Sequence, residues 1–148
     1  MGTSNSCVCV WRNGTVEVIQ NATGFNTTPS VVQFRKGNQQ FVGSAAVAGG
    51  ALVHVPNTCY EVKRLIGIED LKHPDTVKDL AKFPFKVLAD PTTGRPYINL
   101  EIKGDKNQIW PEEVSALVLE YLKKAAELKL NTKITKAVVT VPAYFNDR

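Results

Sequence analysis

The longest periodic pattern in the sequence runs from Pro111 to Leu130 and constrains the fold more than any other feature. Proline suits the first position of a helix, glutamates follow it, and lysines gather towards the end, as expected for one helix over this range. Its apolar residues recur at helical spacing: Val114, Leu117, Val118, Tyr121, Leu122, Ala125 and Leu128. Such a stripe fits a coiled-coil partner or a helix packed on a core, and we favour core packing.

An apolar run rich in β-branched residues, KAVVTV at 136–141, follows this helix after a short loop. An uninterrupted run of this kind is typical of a strand that is covered on both faces of a sheet. A helix that leads into such a strand predicts an α/β fold with a mixed sheet that contains strands of both senses. Asn146 and Asp147 lie just beyond and favour the start of a further helix, so we expect the chain to be part of a larger domain.

Two hairpins are predicted in the first third of the chain. Asn13-Gly14 separates two β-rich segments, residues 6–11 and 16–20, and favours a type I′ turn because both residues tolerate a positive φ. A second pair of strands is expected at residues 28–34 and 39–43, on either side of a polar turn.

The middle of the chain mixes helical and extended patterns. Ser44 is expected to cap a helix that continues to residue 53, and residues 57–67 predict another helix that ends at a glycine. A short helix is expected at residues 75–83. Strands are then predicted at residues 84–90, 96–104 and 107–110, separated by turns that contain glycine.

Charge and cysteine content narrow the functional classes. The net charge of +4 suits an anionic partner, but the basic residues are interleaved with acidic ones, so we expect a solvated exterior and no nucleic-acid partner. A nucleic-acid or other anion-binding surface remains the alternative. No apolar leader follows Met1 and no long apolar run occurs, which predicts a cytoplasmic protein without a membrane segment.

Three cysteines, an odd number, argue against a disulfide framework and for a reducing compartment. Cys7 and Cys9 are two residues apart in a predicted strand, so they should face the same side of it. A metal-binding or redox pair is one interpretation of this spacing. Small residues of the core are the interpretation we favour.

The segment Gly2-Thr3-Ser4 carries chemistry that suits a phosphate group. Glycine lets backbone amides approach an anion closely, and two neighbouring hydroxyl groups can donate to phosphate oxygens or coordinate magnesium. On its own this short pattern is a weak signal, because such a segment is also common in terminal tails.

Seven motifs occur in order over essentially the whole chain. They are Gly-Thr-Ser then Ser-Cys-Val at 2–8, Asn-Gly-x-Val-Glu-x-Ile at 13–19, Thr-Thr-Pro-Ser at 27–30, Val-Lys-Arg-Leu-Ile-Gly at 62–67, Pro-Phe-Lys-Val at 84–87, Pro-Glu-Glu-Val-Ser-Ala at 111–116, and Ala-Val-Val-Thr-Val-Pro-Ala-Tyr-Phe-Asn-Asp at 137–147. Together they resemble the ATPase domain of the seventy-kilodalton heat-shock chaperones, the heat shock protein 70 family. The last motif alone is highly specific.

The resemblance implies the actin-like ATPase fold, a ribonuclease H-like α/β fold with two lobes around a nucleotide cleft. Residues 1–148 correspond to the first lobe of this nucleotide-binding domain and leave it incomplete. Met1 stands immediately before the loop glycine, where the family has a strand with an aspartate that helps to hold magnesium-bound water. That strand, the second lobe and the peptide-binding domain are therefore expected to be missing from the segment.

The resemblance also implies roles for individual residues. Gly2, Thr3 and Ser4 match the Gly-Thr-Thr loop that cradles the phosphates of ATP, and Asn5 stands beside them where the family usually has tyrosine. Lys63 matches a catalytic lysine near the γ-phosphate that helps to position the attacking water and stabilises developing charge.

Pro142 matches the hinge proline that relays the nucleotide state to the peptide-binding domain. The resemblance assigns none of the matched residues as a ligand for a metal ion.

The function implied by the resemblance is that of a chaperone that couples ATP hydrolysis, with ATP or ADP and Mg²⁺ as cofactors, to the binding of unfolded peptides. Co-chaperones and nucleotide-exchange factors are the implied partners. The isolated segment is expected neither to bind ATP tightly nor to hydrolyse it, because catalytic groups of this kind act as a unit. The alternative is a stand-alone module that binds co-chaperones without catalysis.

Overall fold

The computed structural model describes residues 1–48, 54–68, 70–102 and 107–141. Over these ranges the chain is a mixed α and β structure. The strands are β1 (Asn5–Ser6), β2 (Val8–Arg12), β3 (Thr15–Ile19), β4 (Thr28–Pro29), β5 (Val31–Arg35), β6 (Gln39–Val42), β7 (Thr58–Tyr60), β8 (Lys86–Ala89), β9 (Pro96–Asn99) and β10 (Gln108–Ile109). The helices are α1 (Ser44–Ala48), α2 (Pro74–Leu80) and α3 (Pro111–Leu130), with 3₁₀ turns at Val55–Asn57 and Val62–Arg64.

The first predicted hairpin is confirmed. Strands β2 and β3 pair in antiparallel register, with Val8 opposite Ile19 and Trp11 opposite Val16. Both turn residues have positive φ angles, 51° for Asn13 and 77° for Gly14, as a type I′ turn requires. The ladder begins later than expected because β1, at Asn5–Ser6, pairs with β4 instead.

The second predicted pair is also confirmed, and it belongs to a three-stranded sheet in the order β6-β5-β7. Strand β7 shows that the helix predicted over residues 57–67 is wrong. Thr58–Tyr60 is extended because it pairs with β5. Glu61 then adopts a left-handed φ of 53°, so only the short turn at Val62–Arg64 follows. Strand pairing has overridden the local helical preference.

The two short helices differ slightly from expectation. Helix α1 begins at Ser44 itself, and the carbonyl of Gly43 accepts hydrogen bonds from the amides of Ala46 and Val47. The predicted continuation of this helix over residues 49–53 lies outside the described residues.

Helix α2 confirms a helix within the expected range of 75–83, but it begins at Pro74 and ends at Leu80. None of the helices in the described ranges is long and apolar enough to cross a membrane.

Strands β8, β9 and β10 form an antiparallel sheet in the order β10-β9-β8 and confirm that three strands occur here. The middle one ends at Asn99, earlier than predicted. Their buried side chains join those of the β5 sheet and of α3 in one hydrophobic core. The buried members are Val32, Phe34, Cys59, Val62, Leu65, Phe85, Ile98, Leu100, Ile102, Ile109, Val114, Val118 and Leu122.

Helix α3 covers the full predicted range, and its stripe packs on this core. Val114, Val118, Leu122 and Ala126 are buried at a spacing of four residues. The predicted stripe ended at Leu128, but that side chain is 86% exposed, so the last part of the prediction is wrong. The buried face of α3 packs on the core of this chain, as the core-packing interpretation expected.

The predicted buried strand at residues 136–141 is wrong for the part that the structure describes. Residues 133–141 belong to no strand, and Val138 is 99% exposed. Every strand pair within the described ranges is antiparallel, so the expected pairing of both senses is also not found. Apolar β-branched residues form a strand only where a neighbouring strand satisfies their backbone groups, and here none of the described residues does so.

The cysteines are free, but the expectation that Cys7 and Cys9 are core residues is wrong. Cys7 and Cys9 are exposed, whereas Val8 packs against the core, because neighbouring residues of a strand face opposite sides. Cys59 is buried in β7, and burial raises the pKa of its thiol to about 12. The folded state therefore keeps this proton where the unfolded chain loses it, so the contribution of Cys59 to stability falls as pH rises from about 9 towards 12.

Candidate functional site

The loop of residues 2–4 is held against the start of two strands. Strand β1 follows the loop directly, and its partner β4 places Ser30 beside it, where the Ser30 amide donates to the Ser4 carbonyl at 2.9 Å. The chain folds back so tightly here that a Cβ atom added to Gly2 would collide with the backbone carbonyl of Asn5. Glycine is therefore required at this position by space alone.

The two residues after this glycine keep their donor groups available. Neither the hydroxyl nor the backbone amide of Thr3 or Ser4 donates a hydrogen bond to another described residue. Ser4 is exposed and Thr3 is half-buried. Hydroxyl and amide donors in a tight turn are suited to the oxygens of an anion such as phosphate.

Lys63 reaches the same loop from a distant part of the sequence. It lies in the 3₁₀ turn Val62–Arg64, which packs against α3, and the buried side chains of Val62 and Leu65 anchor this turn in the core. The Nζ atom of Lys63 donates to the carbonyl of Met1 at 2.6 Å, immediately before Gly2. The fold thus brings a cation to a loop that lies about 60 residues earlier in the chain.

The charge of Lys63 acts on the residue immediately before the loop. The pKa of the Met1 amino group is lowered, first by burial and second by repulsion from Lys63. Within the described ranges, no group of three or more histidine, cysteine, aspartate or glutamate side chains could hold a metal ion. The site therefore offers hydrogen-bond donors and a positive charge, which fit an anion, and no cluster of metal ligands in the part of the chain described.

Comparison with known proteins decides the family. The family model described as "Hsp70 protein" matches residues 1–148, the whole chain. The chain belongs to the Hsp70 family. Curated relatives include the chaperone protein DnaK of Akkermansia muciniphila, 41% identical over 147 residues. Others are the heat shock 70 kDa protein BIP3 of Oryza sativa subsp. japonica, 43% identical over 148 residues, and the heat shock 70 kDa protein 2 of Paracoccidioides lutzii, 42% identical over 147 residues.

Each of these Hsp70 relatives matches 99% of this chain, but the chain spans only 22% of the length of each of them. The membership predicted from the sequence motifs is confirmed. Membership of the family does not by itself establish the roles of individual residues in the site.

The structure brings together five of the six residues that the Hsp70 motifs pointed to. Gly2, Thr3 and Ser4 form the loop, and the exposed Asn5 follows the loop in β1. Lys63 contacts Met1, the residue before the loop. The sixth, Pro142, lies outside the described residues.

Sequence reasoning did not single out Ser6 and Ser30, whose hydroxyl groups bond directly to Gly2. They are separated by 24 residues and meet only through the pairing of β1 with β4, so no local spacing could have revealed them.

Proposed function

We propose that residues 1–148 form part of the first lobe of the actin-like ATPase domain of an Hsp70 chaperone. In this proposal residues 2–5 and Lys63 bind the phosphates of ATP or ADP. The observation that supports it most is the 2.6 Å contact of Lys63 with the carbonyl before Gly2. This contact brings one cation beside a loop whose Thr3 and Ser4 hydroxyl and amide groups donate to no other described residue.

The division of work among these groups follows from their chemistry. Gly2 permits the tight backbone path, and Thr3 and Ser4 donate hydrogen bonds to phosphate oxygens. Lys63 supplies positive charge, which stabilises the negative charge that develops as a phosphoryl group is transferred. Magnesium bound with the nucleotide would neutralise further phosphate charge. Asn5 lies beside the loop and can contact the nucleotide through its amide side chain.

The activity of the complete protein is also part of the proposal. We propose that it hydrolyses ATP and couples this to the capture of unfolded peptides, with co-chaperones and nucleotide-exchange factors as partners. Pro142 is proposed to relay the state of the nucleotide to the peptide-binding part. A cytoplasmic location is proposed because the three free thiols suit a reducing compartment.

Residues 1–148 measured alone should bind nucleotide weakly. A loop and one lysine supply few of the groups that phosphoryl transfer needs at once, and such groups act as a unit. An affinity near 1 mM, equivalent to about 4 kcal/mol, is the scale expected for such a partial site.

Substitution of Lys63 tests this assignment. Lys63→Ala should weaken the binding of MgATP about tenfold, because a charge-assisted contact to phosphate is lost. The affinity can be measured by titrating the ¹⁵N-labelled chain with MgATP and following its amide resonances. Lys86→Ala is the matched control, since this exposed lysine lies in the separate sheet of β8. Equal affinities for both variants would contradict the proposed role of Lys63.

A second candidate function rests on a different observation. Trp11, Val16 and Val18 share one face of the β2–β3 hairpin and are exposed, with Trp11 70% exposed. Exposed apolar patches often mark sites of protein association. The alternative is therefore a module that binds a co-chaperone or another chaperone lobe through this face without catalysis.

The alternative requires that a purified co-chaperone binds the chain and that Trp11→Ala removes this binding. Phe25→Ala serves as the control, because Phe25 is similarly exposed but lies outside the hairpin strands. Absence of binding, or equal loss in both variants, would count against it.

A further inference from the structure

Two buried serine hydroxyls lie behind the candidate phosphate loop. Ser6 and Ser30 are each only 3% exposed, and their Oγ atoms are 2.8 Å apart. Ser6 is the second residue of β1 and Ser30 directly follows β4, so the pairing of these two short strands brings the hydroxyls together. Burial of a hydroxyl group costs free energy unless the group is hydrogen-bonded, and both of these hydroxyls are hydrogen-bonded.

Both hydroxyls bond to the same residue of the loop. The amide of Gly2 donates to the Oγ atom of Ser6 at 3.2 Å. The Oγ atom of Ser30 donates to the carbonyl of Gly2 at 2.9 Å. The amide and the carbonyl of the loop glycine are therefore both held by serine side chains, one from β1 and one from the residue that follows β4.

The number of protons fixes the direction of the remaining bond. A serine hydroxyl has one proton, and that of Ser30 is used on the Gly2 carbonyl, so Ser6 must be the donor between the two hydroxyls. The bonds then run from the Gly2 amide to Ser6, from Ser6 to Ser30, and from Ser30 back to the Gly2 carbonyl. This closed ring polarises each member in the same direction, which strengthens all three bonds.

The ring has a consequence for the groups that face the proposed ligand. The backbone amide and carbonyl of Gly2 are satisfied inside the protein, and the carbonyl of Ser4 accepts from the Ser30 amide. The donors of Thr3 and Ser4 lie between these two fixed points. Ser6 and Ser30 therefore hold the backbone on both sides of these donors, and neither serine belongs to the loop.

We propose that Ser6 and Ser30 are positioning residues that preorganise the loop of residues 2–4 for a nucleotide phosphate. The inference rests on the proposed function, because it assigns a role in the same site. It goes further by assigning the affinity of the loop to a buried pair that makes no contact with the ligand. Preorganised donors bind an anion more tightly, because the loop loses less freedom when the ligand arrives.

The test compares Ser6→Ala, Ser30→Ala and the double variant with the unaltered chain in titrations with MgATP. Each single variant should weaken binding about tenfold, on the scale of one lost hydrogen bond. The double variant should be no more than slightly weaker than either single one, because removal of either hydroxyl already opens the ring. This non-additivity is not expected if the two serines merely contribute separate increments of stability.

Ser115→Ala is the matched control. Its hydroxyl is also buried and donates to the Pro111 carbonyl at 2.9 Å, but it lies in α3. This variant should retain the affinity for MgATP, and urea denaturation checks that it remains folded.

The outcomes separate the two proposals. Binding of MgATP by the unaltered chain with unchanged affinity in Ser6→Ala and Ser30→Ala would overturn the positioning role and leave the proposed function intact. Additive losses in the double variant would also overturn the closed ring. Absence of any response in the unaltered chain at millimolar MgATP would overturn the proposed function and this inference together.

Discussion

Gly2→Ala should abolish saturable binding of MgATP by this chain while leaving the remainder of the fold intact. A Cβ atom at this position would collide with the carbonyl oxygen of Asn5, which belongs to the backbone and cannot swing aside as a flexible side chain does. The loop must then open, and its hydrogen bonds to Ser6 and Ser30 are lost with it. Misplaced donors cost far more than a single weakened contact, so we expect a loss of at least about a hundredfold.

The measurement is a titration of the ¹⁵N-labelled variant with MgATP under the conditions used for the unaltered chain. Gly94→Ala is the control. Its added Cβ atom meets no neighbour, but its φ of 72° makes the substitution strained, so it should lower stability without lowering affinity. Affinity retained in Gly2→Ala would show that the tight path of the loop is not needed for the ligand.

Ile98→Ala should produce the largest loss of stability among single core substitutions of β9. Ile98 is fully buried, lies opposite both Val87 and Ile109 in the sheet, and belongs to the core beneath α3. Truncation of a large buried aliphatic side chain to alanine typically costs about 2–5 kcal/mol, because the transfer free energy is lost and a cavity remains.

The free energy of unfolding can be measured by urea denaturation, followed by the circular dichroism of the helices. Leu128→Ala provides the comparison, since this α3 residue is 86% exposed and its truncation should change the free energy of unfolding by less than about 0.5 kcal/mol. If both variants shifted the urea midpoint equally, the packing described for this core would be wrong.

The elements that sequence patterns predicted well are those whose structure is decided locally. The β2–β3 hairpin follows from Asn13-Gly14, whose positive φ angles the turn requires. Helix α3 follows from its period and its terminal residues. In both cases the residues that decide the structure are close together in the chain, so no knowledge of the tertiary fold was needed.

The secondary-structure predictions that were wrong concern segments whose structure depends on pairing with a strand distant in the sequence. Thr58–Tyr60 is a strand because β5 lies beside it, although the sequence around it has a helical pattern. Residues 136–141 are rich in β-branched residues, yet in the described part of the chain they have no strand to pair with. Propensity indicates what a segment can form, and pairing determines what it does form.

Some features of the candidate site could likewise be predicted from the sequence, whereas others depend on the tertiary structure. Gly2, Thr3 and Ser4 could be singled out because their residue types alone suit an anion, and Lys63 could be placed only through the family motif around it. The contact between Lys63 and the loop, and the ring formed by Ser6 and Ser30, depend on tertiary structure. No local spacing in the chain records either of them.

Residues 2–4 and Lys63 are proposed to form a weak phosphate site. The most direct test is to map the amide resonances of the unaltered ¹⁵N-labelled chain during a titration with MgATP from micromolar to millimolar concentrations. We predict saturable shifts at Gly2, Thr3 and Ser4 with an affinity near 1 mM, and no saturation at about 1 μM. Shifts confined to other parts of the chain, or none at these three residues, would contradict the claim.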